Sequence, residues 1–508
     1  MNSNNHHHRG FASKFGFLMA AVGSAVGLGN LWGFPFRVYT NGGAAFVFIY
    51  IIMALTVGII AMIGELLIGK RSQANVVYTF ANINKKSKWL GYLAVLVPFL
   101  ILCYYPVIGG WSMKYAYDYI FGVGVAPGTG ETNYSSAFGA FTGSPSAVIF
   151  LAVFMIVVFV IVLFGVKKGI EKASKVMMPL LFVCLVAVVI YGLTLPNSIE
   201  GVKHIMVPDF SVISENFGTV ILAALGQIFF SMSLGMGINI AYGSYMGANM
   251  RVGKSACLVG VCDTIMAVLA ALAIFPALFS FGLESSATKE GPGLIFVVLA
   301  NVFGKMGAVY GRIFGAIFFI LVILAAVTSC IALLEVPVQF LIEKYNMNRK
   351  IASIGIAGMA FAIGSIVSLS FGVGSLQIEG VDLLTVIDAI TNKMMLPVTA
   401  FATCIIVGWV IKPKNLKEDF DTSNGFKNFA FNAWSILIRF ITPIGIAVVF
   451  GLGVSDLFLG KADFKTLTGQ LVIFLSAFAL ILFAVILNII TESIKKKNSP
   501  LIDVDKRF

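Results

Sequence analysis

Two apolar segments of the sequence are interrupted by glycines that stand next to polar side chains. The first reads Gly-Ser-Ala-Val-Gly-Leu-Gly-Asn over residues 23–30, and the second reads Ser-Met-Ser-Leu-Gly-Met-Gly over residues 231–237. Glycine inside a helix costs about 1 kcal/mol relative to alanine, so both segments predict locally unwound backbone. Unwound backbone exposes carbonyl oxygens that can ligate a cation, and the amino ends of half-helices attract an anion. One such break could therefore hold a sodium ion beside a carboxylate.

Close helix packing is the alternative explanation for these glycines. Gly23 and Gly27 have the four-residue spacing that lets two membrane helices approach each other, and this alternative stays open for either segment taken alone. It accounts less well for two interruptions of the same kind. A dinucleotide site at Gly27 and Gly29 is excluded, because that fingerprint needs a preceding strand and a soluble βαβ unit.

Polar side chains in apolar surroundings accompany both breaks. An ionisable group inside a membrane span costs about 2.5–3.5 kcal/mol on insertion scales and marks a functional site by default; Asp263 is such a group. Hydroxyl and amide groups, which suit a sodium ion, occur in similar surroundings at Asn30, Ser231, Ser233, Thr328 and Ser329. For any one hydroxyl alone, a hydrogen bond back to its own helix is the competing interpretation. Glu65 and Glu335 are interpreted as near-interface or structural residues.

The composition indicates that lipid surrounds these segments. The chain has 508 residues, of which 59% are hydrophobic and 11% are charged, whereas soluble domains carry about 25% charged residues. Spanning helices need roughly 20 apolar residues each, which predicts about twelve spans. They lie near 12–38, 43–69, 89–121, 146–166, 174–195, 217–247, 255–283, 307–343, 351–371, 381–411, 427–454 and 466–492. The Gly/Ser/Thr-rich stretch 122–146 is predicted to be an exposed loop.

The charges predict the orientation in the membrane. Basic residues cluster in alternate loops, for example at 167–175 and 344–350, and no Lys or Arg lies between Lys114 and Lys167. Positive loops face the cytoplasm, so both termini are expected there, in a bacterial inner (plasma) membrane. The net charge of +12 is therefore not interpreted as a nucleic-acid surface. The six cysteines all lie in apolar segments and are interpreted as packing residues.

Several blocks together resemble the neurotransmitter:sodium symporter family, in particular its bacterial amino-acid branch. They are Gly-Ser-Ala-Val-Gly-Leu-Gly-Asn-Leu-Trp-Gly-Phe-Pro at 23–35, Asn-Gly-Gly-Ala-Ala-Phe at 41–46, Tyr104-Tyr105, Gly-Val-Lys-Lys-Gly-Ile-Glu at 165–171, Gly-Gln-Ile-Phe-Phe-Ser-Met-Ser-Leu-Gly-Met-Gly at 226–237 and Ala-Ala-Val-Thr-Ser at 325–329. The resemblance implies an all-α polytopic LeuT-type fold with twelve transmembrane helices, of which helices 1 and 6 are broken. Its parts would be a polar tail (1–10), two inverted five-helix repeats (11–195 and 217–411), two further helices (427–492) and a cytoplasmic tail (493–508).

The resemblance also implies which residues form the sites. The first sodium site would use Ala25, Asn30, Ser231 and Asp263, and the second would use Gly23, Val26, Ala325, Thr328 and Ser329. The substrate would meet Ala25, Leu28, Gly29, Ile101, Tyr105, Phe230, Ser233, Met236 and Leu333. The gates would use Phe230 and Asp388 on the outside, and Tyr245 and Glu343 on the cytoplasmic side with a basic partner near Arg9.

Two departures from the family pattern bear on function. Family members usually carry Arg at the position of Gly33, where it pairs with the acid that matches Asp388; Arg37, about one turn on, is the candidate substitute. Chloride-dependent relatives carry Asn at the position of Asp263 and hold chloride near groups matching Tyr50, Gln227 and Ser231. An ionised Asp263 would supply that negative charge, so no chloride requirement is expected.

These observations predict a sodium-coupled symporter for a neutral amino acid that works by alternating access. Monoamine members place Asp at the position of Gly27, and glycine leaves room for the carboxylate of an amino acid. The apolar pocket favours a hydrophobic or aromatic side chain, because a charged one would be buried without a partner. The expected partners are the amino acid, sodium ions and the bilayer, and no enzymatic site is predicted. A proton-coupled amino-acid carrier of a related LeuT-fold family is the alternative.

Overall fold

The computed structural model of the chain describes residues 10–208, 210–283, 293–420, 425–458 and 466–497. Within these ranges the regular structure is helical, and a single pairing of Ile378 with Val381 is the one β-type contact. Ten uninterrupted helices are long and apolar enough to cross a membrane. They are α2 (Ala44–Ser72), α3 (Lys85–Phe121), α4 (Ser146–Leu163), α5 (Val166–Leu193), α7 (Val252–Ser280), α8 (Ala308–Tyr345), α9 (Arg349–Leu369), α10 (Leu383–Ile411), α11 (Asn428–Ser455) and α12 (Thr468–Ile489).

Two interrupted helices complete the set. The first consists of α1a (Lys14–Ala25) and α1b (Gly29–Thr40), which are bent by 51°. The second consists of α6a (Ser211–Ser231) and α6b (Ile238–Ser244), which are separated by residues 232–237. The described residues therefore contain the twelve spans, and both breaks, that the sequence predicts.

The break in α1 is short and is stabilised by its own residues. Val26 has extended dihedral angles but still donates its N–H to Val22 O at 2.7 Å. The chain then resumes with one turn of π-helix at Gly29–Gly33, a geometry that is frequent at functional sites. Pro35 lies in the first turn of the α-helix that follows. Because proline has no backbone N–H, it donates no hydrogen bond to a carbonyl of the π-helical turn before it.

The break in α6 is longer and depends on α2. Ser233, Gly235 and Gly237 all have positive φ angles of 53°, 75° and 68°, which ends the helix and turns the chain. Glu65 of α2, which is 2% exposed, accepts a hydrogen bond from the Gly235 amide at 2.8 Å and another from Asn239 Nδ2 at 3.0 Å. From the sequence, Glu65 is interpreted as a near-interface or structural residue. In the structure it accepts a hydrogen bond from backbone that has lost its helical partners.

The interrupted helices lie at the centre of the bundle. α3 and α8 pack along each other, α1a contacts α5, α7 and α8, and α6b packs against α2. Because successive spans alternate in direction, the amino-terminal ends of α1, α3, α5 and α7 lie on one side, which we call the N side; the other side is called the far side.

The prediction for residues 122–146 was partly wrong. This stretch contains a helix at Tyr134–Thr142, in which Tyr134, Phe141 and Thr142 are buried. The Phe138 ring packs edge-on against Trp111 of α3, with the ring centroids 5.3 Å apart. Composition indicated a loop because the glycines and serines lie around this helix, but a few aromatic side chains suffice to anchor it. Other short helices are Val76–Ile83, Ser198–Met206 and Leu294–Lys305.

Glu65→Gln is expected to lower the apparent melting temperature of the purified protein in detergent. A carboxamide cannot accept from both Gly235 and Asn239 with the strength of a carboxylate, and a buried donor left without its partner costs about 1–3 kcal/mol. Glu200→Gln is the control, because Glu200 pairs with Lys203 where its side chain is 54% exposed. Equal melting temperatures for the two variants would contradict the role assigned to Glu65.

Candidate functional site

A cavity lies between the two breaks, where α1 and α6 face α3 and α8. The empty space between its walls, including its open mouth, is about 320 Å³. Its wall consists of Ser24, Ala25, Gly27, Gly29, Asn30, Ile101, Tyr105, Phe230, Ser231, Ser233, Met236, Ile238, Ser329 and Leu333. Eight of the nine residues predicted to meet the substrate are among these. The ninth, Leu28, contacts the wall through its backbone.

The α1 side of the cavity presents groups that suit a carboxylate. The Leu28 N–H donates to the Tyr105 hydroxyl at 2.9 Å, so the hydroxyl proton of Tyr105 can point elsewhere. A Cβ atom on Gly27 would lie only 2.7 Å from both Tyr105 Oη and Ser329 Oγ. Glycine at this position therefore keeps the space beside the tyrosine open.

The α6 side presents the hydroxyl of Ser233. Ser233 donates from Oγ to the carbonyl of Ser24 at 3.0 Å, which ties the two breaks together. The apolar part of the wall comes from Ile101, Met236, Ile238 and Leu333. Ser24 and Ile238 were missed by the sequence reasoning. Both residues lie at the edges of the two glycine-rich segments, and this position could have indicated that they line the cavity.

The residues predicted for the first sodium site are in contact with one another. Asn30 Nδ2 donates to Asp263 Oδ1 at 2.7 Å, and Ser231 Oγ lies 2.7 Å from both carboxylate oxygens of Asp263. Ser231 Oγ also lies 3.0 Å from Asn30 Oδ1. All three residues are at most 2% exposed. Ala25 completes the predicted set and lies on the cavity wall beside Asn30.

The residues predicted for the second sodium site bring α1a and α8 together. Ser329 Oγ lies 3.5 Å from the Gly23 carbonyl, and a Cβ on Gly23 would lie 3.1 Å from Thr328 Cβ. Thr328 donates back to its own helix, at 3.0 Å to Leu324 O and 3.1 Å to Ala325 O, as the competing interpretation held. Val26 and Ala325 are fully buried.

The ligand chemistry around the breaks suits a hard monovalent cation. In the described part of the chain no three His, Cys, Asp or Glu residues cluster as transition-metal ligands. The available donors are carbonyls, hydroxyls, an amide and one carboxylate, which are oxygen ligands of the kind that hard cations prefer.

On the far side, the predicted gate residues lie on different walls. The Phe230 ring covers Gly29, since a Cβ there would lie 2.8 Å from Phe230 Cδ1, and its centroid is 6.3 Å from that of Tyr105. Asp388 of α10 accepts hydrogen bonds at Oδ1 from the Tyr104 hydroxyl at 2.6 Å and from Asn392 Nδ2 at 2.5 Å.

On the N side, Tyr245 and Glu343 belong to two adjoining groups. The Tyr245 hydroxyl donates to Glu335 at 2.7 Å, and Arg349 forms an ion pair with the same carboxylate. Glu343 accepts from the backbone N–H and side-chain amide of Asn75, at 2.7 and 2.9 Å. Arg9, the basic partner predicted near this gate, lies outside the described residues.

Glu335 and Arg349 were missed as site residues. Glu335 lies two helical turns before Glu343 on α8 and is fully buried, so an ionisable residue at that spacing was the available signal. Phe11 adds to this closure: its N–H donates to Tyr245 O at 3.2 Å, and its ring packs edge-on against Tyr242 with the centroids 5.6 Å apart.

Comparison with known proteins places this arrangement in a family. The model of the "Sodium:neurotransmitter symporter family" matches residues 8–123 and 141–493. An uncharacterised sodium-dependent transporter of Bacillus subtilis, YhdH, is 35% identical over 445 residues, which are 87% of this chain and 96% of the relative. An uncharacterised sodium-dependent transporter of Methanocaldococcus jannaschii is 32% identical over 469 residues, covering 90% of this chain and 92% of the relative.

A solved structure agrees with the fold. The crystal structure of MhsT in complex with L-phenylalanine matches with a TM-score of 0.78 and 39% sequence identity, covering 88% of this chain and 99% of that one. Together with the two broken helices and the cavity between them, these matches favour sodium coupling over the proton-coupled alternative. The chain belongs to the sodium:neurotransmitter symporter family and is a sodium-dependent transporter with a LeuT-type fold.

Proposed function

We propose that this transporter imports a neutral, hydrophobic or aromatic amino acid together with sodium. The observation that carries the proposal is the cavity at the two breaks, where the Tyr105 hydroxyl and the α1 backbone adjoin the Asp263, Asn30 and Ser231 cluster. A carboxylate held at the first group would lie beside a cation held at the second. Each would then compensate the charge of the other in a site that excludes water.

The substrate class follows from the remaining wall. Ile101, Met236, Ile238 and Leu333 offer no group that could pair with a charged side chain, and an unpaired buried charge is costly. The Ser233 hydroxyl and the Ser24 carbonyl suit an α-amino group. The relative MhsT, whose crystal structure holds L-phenylalanine, supports an aromatic substrate here.

Two sodium ions would accompany the amino acid. The first would use Ala25, Asn30, Ser231 and Asp263 with the substrate carboxylate, and the second would use Gly23, Val26, Ala325, Thr328 and Ser329. The first set joins α1 to α6 and α7, and the second joins α1 to α8. Bound ions would therefore stabilise one arrangement of the interrupted helices over others.

The cycle would be alternating access between the two sides. Phe230 and Asp388 would act at the far side, and Tyr245 and Glu343 at the N side, while the halves 11–195 and 217–411 act as inverted repeats. The basic loops support a cytoplasmic N side, with both termini in the cytoplasm of a bacterial cell and the protein in its inner membrane.

Transport would not need chloride. In relatives that use chloride, the ion lies near groups matching Tyr50, Gln227 and Ser231. Here the Asp263 carboxylate accepts from two of these, from Ser231 and, at 3.5 Å, from the Tyr50 hydroxyl. A fixed carboxylate at this place supplies the negative charge that a bound anion would otherwise bring.

Proteoliposomes with an inward sodium gradient are expected to accumulate labelled L-phenylalanine or L-leucine, but not L-lysine or L-glutamate. Replacing sodium by potassium on both sides should abolish accumulation, because the ions and the substrate carboxylate complete one site. Equal uptake in the two salts would contradict sodium coupling, and preference for a charged amino acid would contradict the proposed substrate class.

Wild-type uptake is expected to be the same in sodium chloride and sodium gluconate. Asp263→Asn should lower uptake at least tenfold in gluconate, because the cation site then lacks its fixed charge, and chloride should restore part of the loss. Asp419→Asn, which removes a partner of Arg71 at the surface, is the control and should not respond to the anion. A wild-type protein that stops transporting in gluconate would refute this part of the proposal.

A further inference from the structure

Arg37 and Gly33 lie one turn apart on α1b and share one place in space. A Cβ on Gly33 would lie 3.0 Å from Arg37 Nη1 and 3.0 Å from Gln227 Oε1. The guanidinium of Arg37 therefore passes over the bare backbone of Gly33 to reach α6a. A larger residue at 33 would push it away, so the glycine and the arginine act as a pair.

The guanidinium is connected to the cavity wall by two hydrogen bonds. Arg37 Nη1 donates to Gln227 Oε1 at 2.5 Å, and Gln227 Nε2 donates to the Gly29 carbonyl at 2.9 Å. Gln227 is 1% exposed, and Gly29 lines the cavity. The amide is thus fixed in one orientation, because its oxygen accepts from the cation while its nitrogen donates to the break.

The same face of α6a carries the ring that covers the break. Phe230 follows Gln227 by three residues, so both side chains point to α1b, and Phe230 packs over Gly29. Any movement of α6a away from α1b would break the Arg37–Gln227 bond and lift the Phe230 ring from Gly29 together. Closure of the cavity and integrity of this hydrogen bond are therefore linked.

We propose that Arg37 is a positioning residue that holds α1b against α6a and thereby slows escape of substrate from the cavity to the far side. Guanidinium stays charged at all accessible pH values and offers several donors in a rigid plane, and charge-assisted hydrogen bonds are the strong ones. The effect on substrate escape rests on the proposed function. The contact by which Arg37 holds α1b against α6a, called the clasp below, does not.

Two readouts test the proposal. The first is the dissociation rate of labelled L-phenylalanine from the purified protein in sodium. The second is hydrogen–deuterium exchange of backbone amides in Gly29–Thr40 and Phe217–Ser231 without amino acid, which reports local opening. Arg37→Ala should speed dissociation about tenfold and raise exchange in both segments.

The double variant Gly33→Arg/Arg37→Ala separates a clasp from a general structural role. An arginine at 33 starts within reach of Gln227 once the side chain at 37 is gone, so the double variant should recover slow dissociation and low exchange. Gly33→Arg alone should be impaired, because two large side chains then compete for one space. Arg312→Gln is the matched control: Arg312 donates to backbone carbonyls of Tyr119 and Ile120, also on the far side, and should change neither readout.

The proposal would be overturned if exchange in both segments of Arg37→Ala stayed at the wild-type level. It would also be overturned if the double variant released L-phenylalanine, and exchanged its amides, as fast as the more impaired single variant. If the wild type binds no L-phenylalanine, the proposed substrate is wrong. The exchange measurement then still decides whether Arg37 holds the two helices together.

Discussion

Backbone groups that leave a helix inside a membrane must find fixed partners, because lipid offers none. Both breaks obey this constraint with side chains from distant parts of the chain. Glu65 of α2 accepts from Gly235, Ser233 of α6 donates to Ser24, and Tyr105 of α3 accepts from Leu28. The unwound segments can exist only where α2 and α3 converge on α1 and α6, so the requirement for hydrogen bonds determines where the cavity lies.

The same requirement makes the site responsive to its cargo. Asn30, Ser231 and Asp263 satisfy one another at 2.7–3.0 Å, and a cation bound among them would replace some of these bonds with oxygen–cation contacts. A buried carboxylate surrounded only by neutral donors is costly to maintain. A sodium ion bound among these groups would therefore be compensated by a negative charge that is already in place.

Much of this architecture could be predicted from the sequence because it depends on local patterns. Apolar length gave the twelve spans, paired glycines gave the breaks, and Asp263 was conspicuous as a carboxylate in a span. The partners could not be predicted in this way, because they come from far along the chain. Nothing local to Glu65 indicates that it bonds to Gly235, 170 residues away. The helix at Tyr134–Thr142 was missed for a similar reason, since the contact between Phe138 and Trp111 outweighs local composition.

The two ends of the cavity are closed by interactions of different kinds, and this difference has consequences for the proposed cycle. On the N side the fully buried carboxylate of Glu335 is paired with Arg349 and accepts a hydrogen bond from Tyr245. Opening there would leave this carboxylate without its partners unless water or another cation replaced them. On the far side Arg37 donates to the neutral side-chain amide of Gln227. Opening of the N side therefore needs a compensating change elsewhere. Sodium binding at the two proposed sites would be such a change, because it would alter the contacts of α1. Phe11 links α1 to the N-side closure, since its ring packs against Phe17 of α1a and its N–H donates to Tyr245 O.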